Sequence, residues 1–271
     1  MRSLRLLPLV LVAVAIVGGV VIEKIVGVDR HGATVASVDI DSKDVGVRLR
    51  TTVVVPAARP AGKRPLLVFL HGRSGNSQSE LDDAFFSALA SQGEDAPLVA
   101  FPNGGNHSYW HDRSEGAWGR YVVREVIPTV VQRFGADPRR VAIGGISMGG
   151  FGAYDIARLY PGRFCAVGGH SPALWGTSGE TAPGAFDNAE DFGRHDVIAA
   201  AQANPDLYGK ARLWLDAGRE DPFQPGDKAM VAALGPRVRA HLTWPGGHED
   251  SYWNEHWPQY ARFYARVLAH C

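Results

Sequence analysis

The setting of one serine in the chain suggests chemistry. The sequence Gly-Ile-Ser-Met-Gly occupies positions 145–149, one residue after the apolar residues 141–143 and before a stretch with a helical pattern. This order predicts a tight turn from a strand into a helix, with the Ser147 hydroxyl exposed. Glycines are needed there because side chains would collide where the strand meets the helix. Ser147 is therefore the candidate nucleophile for attack on a carbonyl carbon, the alternative being a glycine-rich turn with an unreactive serine.

A proton acceptor for this serine is expected after the last predicted strand. His248 ends the sequence Pro-Gly-Gly-His at positions 245–248, which follows the strand residues 241–244. A loop after a parallel strand lies on the same edge of the sheet as the serine, so His248 is the candidate general base. His71 lies upstream of the serine and is expected to hold its own loop by hydrogen bonds, with the role of base as its alternative. His256 falls inside a predicted helix and is expected either at its surface or in packing.

Three acidic residues near the end of the penultimate strand compete for the role of the acid that orients the histidine. Asp216 shares a strand face with Trp214, since side chains alternate with period 2, and this directs Asp216 towards packing. Asp221 comes after residues 217–218 have let the chain leave the sheet, so it can reach back to the histidine. Asp221 is therefore the predicted acid, with Asp216 and Glu220 as alternatives.

The elements that must position these residues alternate along the chain, which predicts an α/β fold with a mostly parallel central sheet and helices on both faces. Strands are predicted at 34–39, 48–55, 66–70, 98–101, 140–144, 166–169, 212–216 and 241–244, and helices at 78–91, 118–134, 149–160, 225–234 and 252–269. The first two strands flank a turn at 44–46 and are expected to form an antiparallel hairpin at the sheet edge. Residues 29–271 are interpreted as one catalytic domain.

The overall composition is that of an ordinary globular protein. The 271 residues include 32 glycines and 17 prolines, too few for a disordered or collagen-like chain. Lys and Arg total 28 and are balanced by 28 Asp and Glu, so no overall positive charge attracts nucleic acid. Nucleic acid is therefore not an expected partner.

The N-terminus departs from this average. Arg2 and Arg5 precede an almost unbroken apolar run at 6–22, which is typical of an export signal. The run is just long enough to span a bilayer and no Ala-x-Ala site ends it, so residues 1–28 are predicted to be a signal peptide or an uncleaved signal-anchor. The protein is accordingly expected outside the cell or anchored to the outer face of the cytoplasmic membrane, with membrane contact through this segment if it is uncleaved. A buried core helix is the alternative.

Cys165 and Cys271 are the only two cysteines. Cys165 is expected at the start of a strand, and the C-terminal helix is expected to run antiparallel to the strands, so Cys271 returns to the same edge of the sheet. In an oxidising compartment a bridge between them is geometrically possible. The alternative is a buried free Cys165 and a frayed terminal Cys271.

Together these motifs resemble the esterase D group of α/β-hydrolases, which includes S-formylglutathione hydrolases, feruloyl-type esterases and the antigen 85 mycolyltransferases. The matching stretches are 66–75, 98–105, 122–160, 213–223 and 245–268. The resemblance implies a serine carboxylesterase that works without a cofactor through Ser147, His248 and an acid after the penultimate strand. In this family the acid is the second Asp of an Asp-x-Gly-x-x-Asp stretch, which here is Asp221.

The same resemblance implies an oxyanion hole built from two backbone N–H groups. In α/β-hydrolases one comes from the loop after the strand at 66–70 and the other from the residue after the nucleophile. These donors are Arg73 and Met148 here. Either water or a second alcohol accepts the acyl group in this family. The acid loop differs from that of the mycolyltransferases, which have a glutamate there, so acyl transfer is kept as an alternative, as is a non-catalytic cell-envelope binding protein of the same fold.

The substrate is expected to be a small-molecule ester, or an ester of a lipid or sugar, held by two loops. The loop 103–116 follows a strand and overhangs the active edge, and the insertion 171–206 supplies further pocket walls, among them Phe186. The candidate substrate-binding residues are Tyr109, Trp110, Asp112 and Trp175. For Tyr109 and Trp110 the alternative is simple packing within the loop. The spacing of His107 and His111 would suit metal ligands together with Asp112, but the hydrolase mechanism requires no ion, so no metal is expected.

Overall fold

The computed structural model describes residues 16–17, 19–23 and 27–271, and its centre is a ten-stranded sheet with the strand order β1-β2-β3-β4-β6-β5-β9-β10-β11-β12. Its strands are β1 (Ile16–Val17), β2 (Val20–Glu23), β3 (Thr34–Asp41), β4 (Arg48–Val55), β5 (Leu66–Leu70), β6 (Leu98–Pro102), β9 (Val141–Ile146), β10 (Ala166–His170), β11 (Arg212–Gly218) and β12 (Val238–Trp244), while β7 (Asp112–Arg113) and β8 (Gly116–Ala117) form a separate small ribbon. Strands β6, β5, β9, β10, β11 and β12 are mutually parallel, whereas β1 to β4 are antiparallel. The sheet is therefore mostly parallel, as predicted.

Helices cover both faces of this sheet. They are α1 (Asp83–Ala90), α2 (Trp118–Tyr121), α3 (Ile127–Phe134), α4 (Met148–Leu159), α5 (Ala189–His195), α6 (Val197–Ala203), α7 (Gln224–Leu234) and α8 (Asp250–Ala269). In β5 all five residues are apolar and buried: Leu67 and Phe69 face the core with α1 and α8, while Val68 faces the core with α3, α4, α6 and α7. A strand buried on both faces needs such an unbroken apolar run, which explains the pattern of β5.

The predicted hairpin is confirmed, but its position at the sheet edge is wrong. Strands β3 and β4 pair antiparallel, with Thr34 opposite Val55. Strand β2 then pairs with β3, with Val20 opposite Val38, and β1 pairs with β2. The apolar residues of β2 thus cover what would otherwise be an open sheet edge.

Most of the predicted export segment lies outside the described residues, which omit 1–15, 18 and 24–26. The described part of the apolar run forms β1 and β2, so the sheet starts before residue 29. Across the described part of the chain, no helix is both long enough and apolar enough to cross a membrane. Signal function and anchoring stay predictions.

The helix predicted at 118–134 is divided into three parts. A widened turn at Val122–Val126, in which the Ile127 N–H donates to the Val122 carbonyl five residues earlier, separates α2 from α3. Pro128 stands in the first turn of α3 and has no N–H to continue the hydrogen-bond ladder of the preceding helix. A proline at this place explains the interruption.

The insertion 171–206 contains two helices that the periodicity of the sequence did not predict. Asn188 caps α5 by accepting a hydrogen bond from the Asp191 N–H at 2.9 Å. Asp196 caps α6 by accepting from the N–H groups of Ile198 and Ala199. Both are ordinary N-cap residues, so the signal was present in the sequence.

A disulfide joins Cys165 and Cys271 across 106 residues of chain, with their Cα atoms 6.0 Å apart. Cys165 precedes β10 and Cys271 follows α8, so the bridge ties the end of the C-terminal helix to the sheet. Its main effect is to restrict the unfolded chain, since a long loop loses much of its freedom when its ends are joined.

We expect Cys271→Ser to lower the free energy of unfolding by about 2–5 kcal/mol. Denaturant unfolding of the oxidised wild type, of Cys271→Ser and of Cys165→Ser measures this loss. The two variants should lose similar amounts because each removes the same bridge. Equal stability of the oxidised wild type and both variants would contradict the structure here.

Candidate active site

Ser147 lies on a sharp turn between β9 and α4, in a backbone conformation that non-glycine residues rarely adopt. Its φ is 55° and its ψ is −115°. The two flanking glycines make room for this turn. A Cβ on Gly149 would lie 1.9 Å from the Leu70 carbonyl oxygen, and one on Gly145 would lie 2.5 Å from it. The turn predicted from the Gly-x-Ser-x-Gly sequence is therefore present and depends on the absence of side chains at both glycines.

A chain of hydrogen bonds connects the serine to His248 and Asp221. His248 Nε2 lies 2.8 Å from Ser147 Oγ, and His248 Nδ1 lies 2.9 Å from Asp221 Oδ2. Asp221 is buried, and its second oxygen accepts a hydrogen bond from the Phe223 N–H. A carboxylate at Nδ1 places the ring proton there and leaves Nε2 free to accept the serine proton. The structure thus brings together the three residues singled out as nucleophile, base and acid.

Asp216, the first alternative acid, is fully buried and occupied elsewhere. Its Oδ1 accepts from Trp214 Nε1 at 2.6 Å and lies 2.7 Å from His170 Nδ1, while its Oδ2 accepts from the hydroxyls of Tyr252 and Tyr260. Burial and the Asp216 charge both raise the pKa of Tyr260, which keeps its hydroxyl as a donor. Asp216 shares the Trp214 face as expected, and it joins β10, β11 and α8.

Glu220, the second alternative acid, holds the histidine loop from the outside. Its carboxylate accepts from the Gly246 N–H at 3.0 Å, and its own N–H donates to the Gly246 carbonyl. Glu220 is exposed, and a hydrogen bond from the Arg219 side chain lowers the pKa of its carboxyl. It fixes the loop that carries His248 without touching the imidazole ring.

The two backbone donors expected for an oxyanion hole border the serine. Met148 begins α4, where N–H groups have no partner within the helix. Gly72 lies so close to the serine that an added Cβ would be 3.6 Å from Ser147 Cβ, and Arg73 follows it. Within the described residues, neither the Arg73 nor the Met148 N–H has an acceptor. Both remain available for an oxygen that acquires negative charge.

His71 holds the loop after β5 in place. Its Nδ1 lies 2.8 Å from the Gly72 carbonyl, and its Nε2 accepts from the Gly104 N–H at 2.9 Å. Burial lowers the pKa of the ring to about 4, against the smaller opposing effect of the Gly72 hydrogen bond. His71 therefore stays neutral at physiological pH, as a structural residue must when one ring nitrogen accepts a hydrogen bond.

Aromatic rings connect the insertion to the catalytic histidine. Trp175 is half-buried, and the centroid of its ring lies 5.5 Å from that of Phe223. The Phe223 centroid in turn lies 5.0 Å from the centroid of the His248 ring. Phe186 lies 6.0 Å from Trp175 on the other side. Phe223 was missed by sequence reasoning, although it follows Asp221 by only two residues. Trp175 and Phe223 thus form an apolar wall beside the proposed reacting atoms.

Three of the predicted substrate-binding residues have other surroundings. Trp110 is fully buried, and its Nε1 donates to the His71 carbonyl, so the prediction that it binds substrate is wrong. Tyr109 is 3% exposed and packs 5.4 Å from Trp175, which gives it a supporting position. Asp112 accepts from the Arg120 N–H and pairs with the Arg120 side chain, so its role is local.

Sequence reasoning also missed Asp227 on α7, another buried carboxyl group close to Asp216 and Asp221. Among the described residues neither of its oxygens has a hydrogen-bond partner. Burial raises its pKa well above the usual range, and the nearby charges of Asp221 and Asp216 raise it further. Burial near two other carboxyl groups thus disfavours the charged form of Asp227, which lies apart from the hydrogen-bond chain of Ser147, His248 and Asp221.

The histidines weighed as metal ligands have separate surroundings. His111 is buried and lies 3.1 Å from Asp191, while His107 is near the surface, 3.8 Å from Glu115. In the part of the chain that the structure describes, no group of three or more His, Cys, Asp or Glu side chains is arranged to hold a metal ion.

The mostly parallel sheet and the serine turn define an α/β-hydrolase, and comparisons with known proteins agree. Residues 42–265 match the Esterase family model, whose description is "Putative esterase". S-formylglutathione hydrolase of Bos taurus is 23% identical over 247 residues, covering 79% of this chain and 86% of that protein. A solved S-formylglutathione hydrolase from Agrobacterium tumefaciens is 19% identical, with a TM-score of 0.71 over 88% of this chain and 96% of that one. A solved ferulic acid esterase is also 19% identical, with a TM-score of 0.73 over 87% of this chain and 98% of that one.

The chain belongs to this esterase family, since the family model matches well over half of its length. The resemblance to the esterase D group is confirmed, and so is the expectation of a serine carboxylic ester hydrolase. At 19% identity, the similarity to these two solved structures shows the fold only.

Between pH 7 and pH 4, we expect the free energy of unfolding of the wild type to fall by roughly 3 kcal/mol more than that of His71→Gln. The pKa of His71 is about 4 in the folded protein and near its ordinary value of 6.5 in the unfolded chain. The stability that it contributes is therefore fully present above pH 6.5 and is lost as the pH falls towards 4. The glutamine amide has an NH₂ group that donates and a carbonyl oxygen that accepts, so it can keep both hydrogen bonds without titrating.

Denaturant unfolding at a series of pH values measures this difference. His270→Gln, at an exposed histidine, is the matched control and should follow the wild-type curve. Parallel pH curves for wild type and His71→Gln would contradict a neutral buried His71.

Proposed function

We propose that this esterase works through a covalent acyl-enzyme, with Ser147 as nucleophile, His248 as general base and Asp221 as the acid that orients the histidine. The observation that carries the proposal is the unbroken hydrogen-bond chain of 2.8 Å and 2.9 Å from the serine hydroxyl through the imidazole to a buried carboxylate. The same chain favours catalysis over a purely binding role, because binding alone does not require a base at the serine.

In the first half of the reaction, His248 Nε2 removes the Ser147 proton as Oγ attacks the ester carbonyl. The carbonyl oxygen becomes negative and accepts hydrogen bonds from the Arg73 and Met148 N–H groups. Asp221 stabilises the imidazolium that forms. The imidazolium then protonates the departing alcohol, which leaves the acyl group on the serine.

In the second half, water takes the place of the alcohol. His248 accepts a proton from water as its oxygen attacks the acyl-enzyme carbonyl. The same two N–H groups stabilise the second oxyanion, and the returning proton regenerates the serine hydroxyl. The products are a carboxylic acid and the free enzyme, and no cofactor is required.

The substrate proposed is a small-molecule carboxylic ester or thioester whose acyl part contacts Trp175 and Phe223. These two rings form the apolar wall beside His248. The names of the relatives support this range, since they include S-formylglutathione hydrolase, which acts on a thioester, and ferulic acid esterase, which acts on an ester with an aromatic acyl group. An aromatic acyl group in particular fits a reaction in which the enzyme holds the acyl part against an apolar surface.

We further propose that the protein is exported, either released or held at the outer face of the membrane. The apolar run at 6–22 after Arg2 and Arg5 supports export. The disulfide between Cys165 and Cys271 supports it independently, because such bridges persist in oxidising compartments.

We expect a fluorophosphonate probe to label the wild type and not Ser147→Ala, and we expect the wild type alone to hydrolyse p-nitrophenyl acetate. The probe forms a stable bond with an activated serine, so labelling reports the acyl-enzyme step directly. Ser171→Ala, at a buried serine in the loop after β10, is a control that keeps Ser147 and should still be labelled. An unlabelled, folded wild type would refute the proposed mechanism.

We expect Asp221→Asn to reduce kcat by about 10⁴-fold while the protein remains folded. An amide at this position no longer stabilises the imidazolium. Asp216→Asn instead places an amide among four hydrogen-bond donors, so it should chiefly lower the free energy of unfolding. Kinetics and denaturant unfolding of both variants test the assignment, which fails if Asp221→Asn keeps near-wild-type turnover and folded Asp216→Asn is inactive.

A further inference from the structure

A second concave site lies away from the serine. The beginnings of β10, β11 and β12 and the C-terminal half of α8 enclose a cavity of about 1150 Å³. This volume is slightly larger than the roughly 300–1,000 Å³ typical of small-molecule sites. Nothing in the proposed mechanism uses this cavity.

The cavity is at the opposite edge of the sheet from the active site. Strand β10 starts beside the cavity at Ala166 and ends at His170, whose carbonyl accepts a hydrogen bond from the Ser147 N–H. A five-residue strand is roughly 16 Å long, so about this distance separates the start of β10 from the serine turn. A ligand in the cavity therefore does not contact the proposed triad.

The lysine and arginine side chains that line the cavity are not balanced by acidic ones. Eight arginine and lysine side chains line it, and no aspartate or glutamate does. This segregation is not a property of the whole protein, whose acidic and basic residues are equal in number. A site with this lining attracts an anion.

Several of these cations have no partner of their own. Lys210, Arg212, Arg262 and Arg266 are exposed, and none of their side chains donates a hydrogen bond or forms an ion pair among the described residues. Arg237, by contrast, is paired with Asp206. The four unpaired cations retain their hydrogen-bonding capacity for a bound anion.

The cavity also has an apolar part. Phe263 and Val267 of α8 face it and are half-buried, and the buried Val238 of β12 contributes to its wall. Arg239 lies over the ring of Trp214, with its Cζ 5.0 Å from the ring centroid. This contact places a cation directly against the apolar part of the cavity. Such a combination suits a ligand with an acidic head and a hydrocarbon body.

We infer that this cavity binds an anionic amphiphile, a molecule with one phosphate or carboxylate group and an apolar chain. The acidic head lies among Arg212, Lys210 and Arg266, and the chain lies against Phe263 and Val267. The ligand comes from a lipid headgroup in a membrane or from a free amphiphile, since both present the same chemistry.

The disulfide fixes the shape of this site. Cys165 belongs to the wall formed by the sheet, and Cys271 belongs to the wall formed by α8. The bridge therefore holds the two walls together. Reduction frees the end of α8 and removes the constraint on the distance between them.

Calorimetric titration with monomeric dodecyl phosphate tests the inference on the full, oxidised protein. We expect saturable binding of one molecule per chain. Inorganic phosphate, which lacks the chain, and dodecyl maltoside, which lacks the charge, should each bind at least about tenfold more weakly. Phosphate or maltoside binding as tight as that of dodecyl phosphate would overturn the inference.

Vesicles of phosphatidylglycerol separate the two sources of ligand. If the protein binds both dodecyl phosphate and the vesicles, the result supports a lipid headgroup as the ligand. If it binds dodecyl phosphate but not the vesicles, the result supports a free amphiphile. Vesicle binding without saturable uptake of dodecyl phosphate would overturn the inference, because it would indicate a charged surface in place of a cavity.

The double variant Arg212→Gln/Arg266→Gln should weaken dodecyl phosphate binding by about tenfold or more. Arg59→Gln/Lys228→Gln removes the same charge at two exposed residues outside the cavity and is the matched control. Reduction of the disulfide should also weaken binding. Equal affinity of the Arg212/Arg266 variant and the control would contradict the site.

The rate of fluorophosphonate labelling at Ser147 separates this inference from the proposed function. We expect that rate to be unchanged in the Arg212/Arg266 variant, since both residues lie at the far edge of the sheet. A parallel loss of labelling and binding would mean that the variant disturbs the fold, and Arg262→Gln alone would then decide the inference by the same titration. Loss of labelling in Ser147→Ala leaves the binding result unaffected.

Discussion

The structure depends on the close approach of β5 to the turn at Ser147. The Leu70 carbonyl at the end of β5 lies so near the start of α4 that only glycine fits at positions 145 and 149. This approach forces the serine into its strained conformation, and the Ser147 N–H is held by the His170 carbonyl of β10. Because three neighbouring strands determine the position of one residue, the strain is stabilised by the whole parallel sheet. The loop after β5 is brought to the serine by the same approach.

Asp216 helps to fix the position of the histidine, as the approach of β5 fixes the position of the serine. Its carboxylate accepts hydrogen bonds from Tyr252 and Tyr260, both on α8, and from Trp214 on its own strand. The loop with His248 stands between β12 and α8, so the attachment of α8 to the sheet limits how far that loop can move. A buried charge is tolerated only when its hydrogen-bonding capacity is filled, and here it is filled by residues that fix the base. Asp216 thus positions the site without touching it.

The sequence allowed the central strands and the residues at their ends to be predicted, because turn glycines and chain order are local signals. The choice of Asp221 depended on strand alternation, which is equally local. Local signals did not distinguish Trp110 from Trp175, since both are tryptophans in loops. Trp110 is buried because Gly152, far along the chain, leaves room for its ring. The helix capped by Asn188 was missed because its apolar periodicity is weak, although its cap was visible.

Helix α8 is attached at both ends by different means, and this separates the two sites. Tyr252 in its first turn and Tyr260 near its middle donate buried hydrogen bonds to Asp216, on the side of the His248 loop. Its C-terminal end is held by the bridge to Cys165, beside the cationic cavity. Loss of the bridge loosens only the second attachment in the folded state, since the hydrogen bonds to Asp216 do not involve that end of the helix. Because each end of the helix is fixed by its own contacts, we expect reduction of the bridge to affect the cavity more than the histidine loop.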